Sequence, residues 1–199
     1  MVITLKGQKS LFLGESLKWC SFFTNRAWRY GALGTELAMQ MLRAFDRKGI
    51  HYKTNGQLGS WMTNSSLKTY QDKIICLEDH ISTMSYENVK VNSEWLGGEA
   101  MTDIGGVKLA YQAYRRQVTD STLLIPGVGG SDNLFFISYA QSMCELMKEK
   151  KVENLKNVLH NAPNKIRVMS TLQQLPEFSE TFGCDAGSEM NLRNTCPVW

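Results

Sequence analysis

The sequence predicts a mainly α fold with minor β. Five stretches, 34–45, 61–80, 98–116, 133–150 and 175–182, carry helical apolar spacing or helix-start signals. The extended patterns are short: 2–5, 11–13 and 166–168. The 199 residues suffice for one domain with a sizeable core, at an ordinary 43% hydrophobic and 21% charged content.

Residues 1 to 29 are weakly patterned. Val2-Ile3-Thr4-Leu5 and Leu11-Phe12-Leu13 read as short strands, and Trp19, Phe22, Phe23 and Trp28 as aromatic core material. No helix period is evident there. Tyr30-Gly31-Ala32-Leu33-Gly34 reads as a glycine-rich turn that opens a helix. Leu37, Met41 and Phe45 follow at i, i+4 and i+8, with Ala38 and Leu42 beside them, so this helix should be largely buried. Gly49 and Lys53-Thr54-Asn55-Gly56 end the unit in turns.

Trp61 to His80 reads as a helix on Leu67, Tyr70, Ile74, Ile75 and Leu77, and 82–93 as irregular. Gly98 to Arg116 is a second strong helix, built to face the first. Gly105-Gly106 weaken its propensity but let another backbone come close. After the loop 125–131, Asn133 to Lys150 reads as a helix, and a short helical run ends near His160. Pro163 breaks that run, and Ile166-Arg167-Val168 reads as extended. Leu175 to Phe182 is a last helix with Pro176 in its first turn, and the tail from Cys184 is irregular.

Charge excludes some function classes. The net charge is +3, and the basic patch Lys148-Glu149-Lys150-Lys151 is broken by a carboxylate, so nucleic acid is not an expected partner. No apolar run approaches the roughly 20 residues that span a bilayer, and the N-terminus has no signal-peptide pattern. The five cysteines, Cys20, Cys76, Cys144, Cys184 and Cys196, form no CxxC, and no Cys/His cluster has zinc-finger spacing. Buried thiols and long-range disulfides both fit them.

Glu99 and Asp103 stand at i and i+4, on one face of an otherwise apolar helix. Buried carboxylates need a cation or a metal. A solvated face is the alternative reading.

The stretch Gly98-Glu99-Ala100-Met101-Thr102-Asp103-Ile104-Gly105-Gly106 resembles the GENxxDxGG segment of the neprilysin family of zinc metallopeptidases, which includes endothelin-converting-enzyme-like members. Asn133 to Gln141 resembles the family's next helix, and His160 to Val168 its transition-state and substrate segment. Pro176-Glu177-Phe178, Phe182-Gly183-Cys184, Met190-Asn191 and Cys196-Pro197-Val198-Trp199 are similar to its ending. The resemblance covers 30–199 as the C-terminal part of a thermolysin-like, neprilysin-like peptidase domain, with 1–29 as a poorly matched N-terminal extension.

The resemblance implies roles for the site residues. Glu99 would bind zinc, Asp103 would orient a zinc-bound histidine, His160 would stabilise the transition state, and Arg167 would bind substrate. Where the family has HExxH, this chain has Met39, Gln40, Met41, Leu42 and Arg43. Both zinc histidines are thus replaced, by Met39 and Arg43, and the general base by Gln40. Glu99 is the one retained ligand, against the three protein ligands typical of catalytic zinc. A guanidinium has no lone pair to offer a metal, and an amide cannot take a proton from water. Of the histidines, His51, His80 and His160, no two stand at i, i+4. Arg43 is expected to pair with Glu99, near Asp103, with its charge in place of the metal's.

The resemblance also implies a Cys76–Cys196 disulfide. Cys144 and Cys184 are left free, paired with each other, or available to a partner chain. Asn64-Ser65-Ser66 is a glycosylation sequon. The expectation is a non-catalytic pseudopeptidase that holds no zinc and at most binds a peptide or a protein partner. The alternatives are an active zinc endopeptidase with a rearranged site and a fragment of a larger family member. The family implies an extracellular or membrane-associated setting.

Overall fold

The computed structural model describes residues 2–3, 11–12, 25–87, 89–117, 124–146 and 163–199. It is mainly helical. Strands β1 (Val2–Ile3) and β2 (Leu11–Phe12) lie within the two short patterns read as strands and pair antiparallel, with Val2 opposite Phe12. Cys20, His160 and the segment 147–162 lie outside the described residues.

The first helix differs from its expected form at both ends. The Asn25 carboxamide oxygen accepts a hydrogen bond from the Ala27 amide at 2.8 Å and starts α1 (Arg26–Arg29). A π-helical turn, Tyr30–Gly34, leads on without a break into α2 (Thr35–Leu42) and a 3-10 turn, Arg43–Phe45. The expected glycine turn is therefore helical, and the helix reaches back into 1–29. Packing explains the wide turn. A Cβ at Gly31 would overlap the Phe135 carbonyl and the Ser138 hydroxyl, so glycine is what lets these backbones touch. Asp46 closes the unit, its Oδ1 accepting from the Lys48 and Gly49 amides at 2.8 and 2.7 Å.

The buried face of α2 is Thr35, Ala38 and Met39. The stripe expected in the core is instead open: Met41 is 65% exposed and Phe45 39%. The cause is the crossing with α4 (Ser93–Gln117), which packs on the other face. A Cβ on Gly106 would stand 3.0 Å from the Met39 backbone nitrogen, and one on Gly105 would run into Leu42 and Trp199. The close approach predicted from Gly105-Gly106 is thus present. Phe45 meets Trp61 and Trp199 edge-on, with centroids 6.0 and 6.3 Å apart.

Helix α3 (Asn64–Ser82) covers the opposite side of α4. It starts three residues after Trp61, because the Thr63 hydroxyl accepts from the Ser66 amide and caps it. Tyr70, Ile74, Leu77 and Ile81 are buried, while Ile75 faces solvent. The segment 82–93, expected as irregular, holds a hairpin of β3 (Ser85–Tyr86) and β4 (Val89–Lys90).

Helix α5 (Ser131–Ser142) buries Phe135, Phe136 and Tyr139. It ends at Ser142 rather than running on to Lys150, and 144–146 are not helical. Arg115 Nη1 donates to both Asp132 oxygens, and the Tyr111 hydroxyl donates to Oδ2, which ties α4 to α5. Residues 166–168, expected as extended, lie inside helix α6 (Asn164–Leu172). Its buried set is Ile166, Ser170, Thr171 and Leu172, so half of the core face is hydroxylic and no apolar period was visible. Helix α7 (Pro176–Phe182) starts on Pro176 as expected and ends on Gly183 at φ 62°, where glycine avoids the left-handed strain.

The tail is irregular, as expected, but pinned. Cys196 is bonded to Cys76, with Cα atoms 5.9 Å apart. Lys73 Nζ donates to the Val198 carbonyl at 3.0 Å, Lys108 Nζ donates to a Trp199 oxygen at 2.6 Å, and the Trp199 indole donates to the Met101 carbonyl at 2.8 Å. Cys144 and Cys184 are free thiols. Among the described residues no helix is long and apolar enough to cross a membrane.

Two neighbouring glycines should behave oppositely. Gly31→Ala overpacks against α5 backbone and should cost about 1–3 kcal/mol in chemical denaturation. Gly34→Ala meets nothing closer than 3.5 Å at a helical φ of −61° and should gain up to about 1 kcal/mol. A pH test is also available. Burial, then the Asp132 charge, raises the Tyr111 phenol to about 12, and burial, then the Asp46 charge, does the same for Tyr70. A raised folded pKa supports the fold below the ordinary phenol value near 10 and is lost as the pH climbs through about 12. Tyrosinate absorbance should therefore rise late and together with alkaline unfolding.

Candidate functional site

The site is built on one face of α4, from Glu99 to Asp103. Asp103 is fully buried, so its carboxylate requires a partner. That partner is Arg167, from α6. Its Nε donates to Oδ2 at 2.8 Å and its Nη2 to Oδ1 at 2.7 Å, a two-pronged pair. At Asp103 the cation is thus Arg167. Burial opposes the Arg167 cation, but the Asp103 charge and hydrogen bonds outweigh it, Glu99 adds to them, and the guanidinium is held above its ordinary value. Tyr139 is buried near the pair. That burial, followed by the Asp103 charge, pushes its phenol up.

Glu99 is half-buried and lines a shallow recess, with room for about one water, together with Ile81, Leu96, Ala100, Ile166, Arg167 and Ser170. Five of these walls lie on α4 and α6, so the ion pair that joins the two helices also shapes the recess. Its chemistry is an apolar wall with one carboxylate and one guanidinium.

The three replaced positions sit on α2 and the turn after it. Met39 is 3% exposed, and its Cγ lies where a Gly106 side chain would be, so its thioether belongs to the α2–α4 seam. Gln40 Nε2 donates to Glu36 Oε1 at 2.9 Å, one turn back. Arg43 Nη1 stands 3.6 Å from Asp46 Oδ2. Away from the recess, His80 Nε2 is 2.9 Å from Gln173 Oε1, a link between α3 and the end of α6. Among the described residues no group of three or more His, Cys, Asp and Glu side chains stands where it could hold a metal ion. The side chains at the three replaced positions are a buried thioether, a carboxamide and a guanidinium. The role expected of His160 falls outside the described residues.

Sequence reasoning singled out both Asp103 and Arg167 but did not join them. The available signal was the lone carboxylate among Ile104, Gly105 and Gly106, which demands a cation. Ser170, which lines the recess, was missed because nothing in its sequence context marks it.

Comparisons with known proteins agree with this framework. The pattern described as Peptidase family M13 matches residues 12–198. An endothelin-converting enzyme homologue of Locusta migratoria is 34% identical over 177 residues, 87% of this chain and 24% of that protein. Neprilysin-2 of Caenorhabditis elegans is 30% identical over 175 residues, 85% of this chain and 24% of that protein. The chain therefore spans about a quarter of the length of the relatives it matches. Among solved structures, a Haemonchus galactose-containing glycoprotein complex superposes with a TM-score of 0.77 at 25% identity, covering 87% of this chain and 30% of that one. The Mycobacterium tuberculosis zinc metalloprotease Zmp1, in complex with an inhibitor, gives 0.79 at 19%, covering 87% and 28%, which bears on the fold alone.

The Asp103–Arg167 pair can be tested by a cycle of variants. Arg167→Met leaves a carboxylate buried without its cation and should cost about 3–5 kcal/mol in denaturant unfolding. Adding Asp103→Leu should restore most of that loss, because the apolar double replacement buries no charge. Additive losses would show that the two side chains do not act as a pair.

Proposed function

Because the chain belongs to peptidase family M13, we propose that it is a non-catalytic member that holds a peptide or a protein partner at the recess beside Glu99 and does not cut it. The observation that carries the reading is the set of side chains at the catalytic positions. Where the family's HExxH would stand, Met39 is packed in a helix seam, the Gln40 amide is donated to Glu36, and Arg43 offers no lone pair. Gln40 has no basic group with which to take a proton from water, and Glu99 alone falls short of the three protein ligands of a catalytic zinc.

The surviving residues suit binding. Arg167 keeps its place through Asp103 and lines the recess, with Glu99 opposite in charge. Ile81, Leu96, Ala100 and Ile166 give apolar contact. The Cys76–Cys196 disulfide supports an oxidising, extracellular setting.

Elemental analysis and a peptidase assay on the purified chain test the reading together. The expected result is no chelator-removable stoichiometric zinc and no hydrolysis of peptide amides. Stoichiometric zinc accompanied by chelator-sensitive hydrolysis would overturn it and establish an active site with a rearranged ligand set.

A further inference from the structure

We propose that the open aromatic cluster of Phe45, Trp61 and Trp199 docks an acidic peptide segment of another protein, one that carries a large apolar side chain among Asp and Glu residues. The cluster shares no residue with the recess beside Glu99, so the two surfaces can be tested apart. Phe45 meets both indoles edge-on, and the three residues are 39%, 47% and 46% exposed. The Trp199 indole is fixed by its bond to the Met101 carbonyl, so what it shows outward is apolar ring. Aromatic surface held in one arrangement loses little freedom when a partner lies on it. Met41, one turn before Phe45 and 65% exposed, adds an adaptable thioether. Open aromatic clusters of this kind mark interaction surfaces, and Trp is the side chain most enriched where binding energy concentrates.

Charge selects the partner. The stretch 37–71, which supplies Phe45 and Trp61, holds five basic residues, Arg43, Arg47, Lys48, Lys53 and Lys68, against a single carboxylate, Asp46. Asp46 is already engaged: its Oδ1 accepts from the Lys48 and Gly49 amides, and its Oδ2 faces Arg43. Cations also stand at the cluster itself. Arg43 opens the turn that ends in Phe45, the Lys53 side chain lies over Gly59, two residues before Trp61, and Lys108 donates to a Trp199 oxygen. A partner that covers the rings therefore gains by bringing carboxylates, and a basic one is repelled. An anionic membrane would bring negative charge too. Each of the three residues, however, keeps more than half of its surface covered by protein, which makes a ledge for a peptide side chain rather than a tip that inserts into lipid.

The test is fluorescence anisotropy with the purified chain and a labelled synthetic peptide in which one tryptophan stands among aspartates and glutamates. A counterpart with lysine at every acidic position and vesicles of phosphatidylserine and phosphatidylcholine are run beside it. The expected result is saturable binding of the acidic peptide, weakened by salt, and about tenfold weaker binding of the lysine counterpart. Trp61→Ser should weaken the acidic peptide about tenfold. Met41→Glu and Lys53→Glu, both at exposed positions where folding is not at stake, should weaken it several-fold, and Glu99→Gln should leave it unchanged. No saturable binding, equal binding of the two peptides, or indifference to Met41→Glu and Lys53→Glu overturns the proposal. So does loss of binding in Glu99→Gln, which would move the peptide to the recess. Preference for the vesicles, or a concentration-dependent dimer in sedimentation that Met41→Glu abolishes, would give the surface to lipid or to a second copy and likewise overturn it.

Discussion

At the centre of the molecule α2 and α4 cross at close range at Gly106. Two ordinary helices pack with their axes 8–10 Å apart, because side chains keep them there. Here the Met39 backbone occupies the space that a side chain at 106 would need, and Trp199 and Leu42 occupy the space beside Gly105. Once the two helices meet this closely, other placements follow. Met39 becomes seam, Met41 and Phe45 turn outward, and Asp103, one turn back along α4, faces α6. Arg167 then fixes the register of α6, and the recess forms between the two helices.

The buried ion pair does not serve chiefly as a source of stability. Taking both charges out of water costs several kcal/mol, and apolar replacements of similar volume often do as well. Its value is directional: two parallel hydrogen bonds allow one orientation of α6 on α4, where hydroxyl-rich packing around Ser170 and Thr171 would specify little. The buried carboxylate of Asp103 is then intelligible as architecture. Asp103 keeps a cation beside it, and that cation is a side chain.

Much of this was legible from residues alone. The apolar spacing of α3, α4 and α5 marks them as helices, and Gly105-Gly106 announces a close crossing. The family resemblance supplies the Cys76–Cys196 bond, which neither spacing nor count could have chosen. Three features were hidden for physical reasons. Helix α6 buries Ser170 and Thr171, so apolar periodicity reports a short strand instead. On α2 two apolar stripes compete, and the choice between them rests with a partner helix far away in sequence. At Asp103 the need for a cation is readable, but only long-range geometry identifies Arg167 as that cation.

The last four residues give the chain a particular order of assembly. The bond from Cys196 to Cys76 closes a separation of 120 residues, and Trp199 fills the space beside Gly105. During synthesis, at about 5–20 residues per second, α3 and α4 are made well before their covering tail. Until Trp199 emerges, the α4 surface at Gly105 is bare. Packing of that surface thus waits on the tail, as does the bond between one pair of thiols.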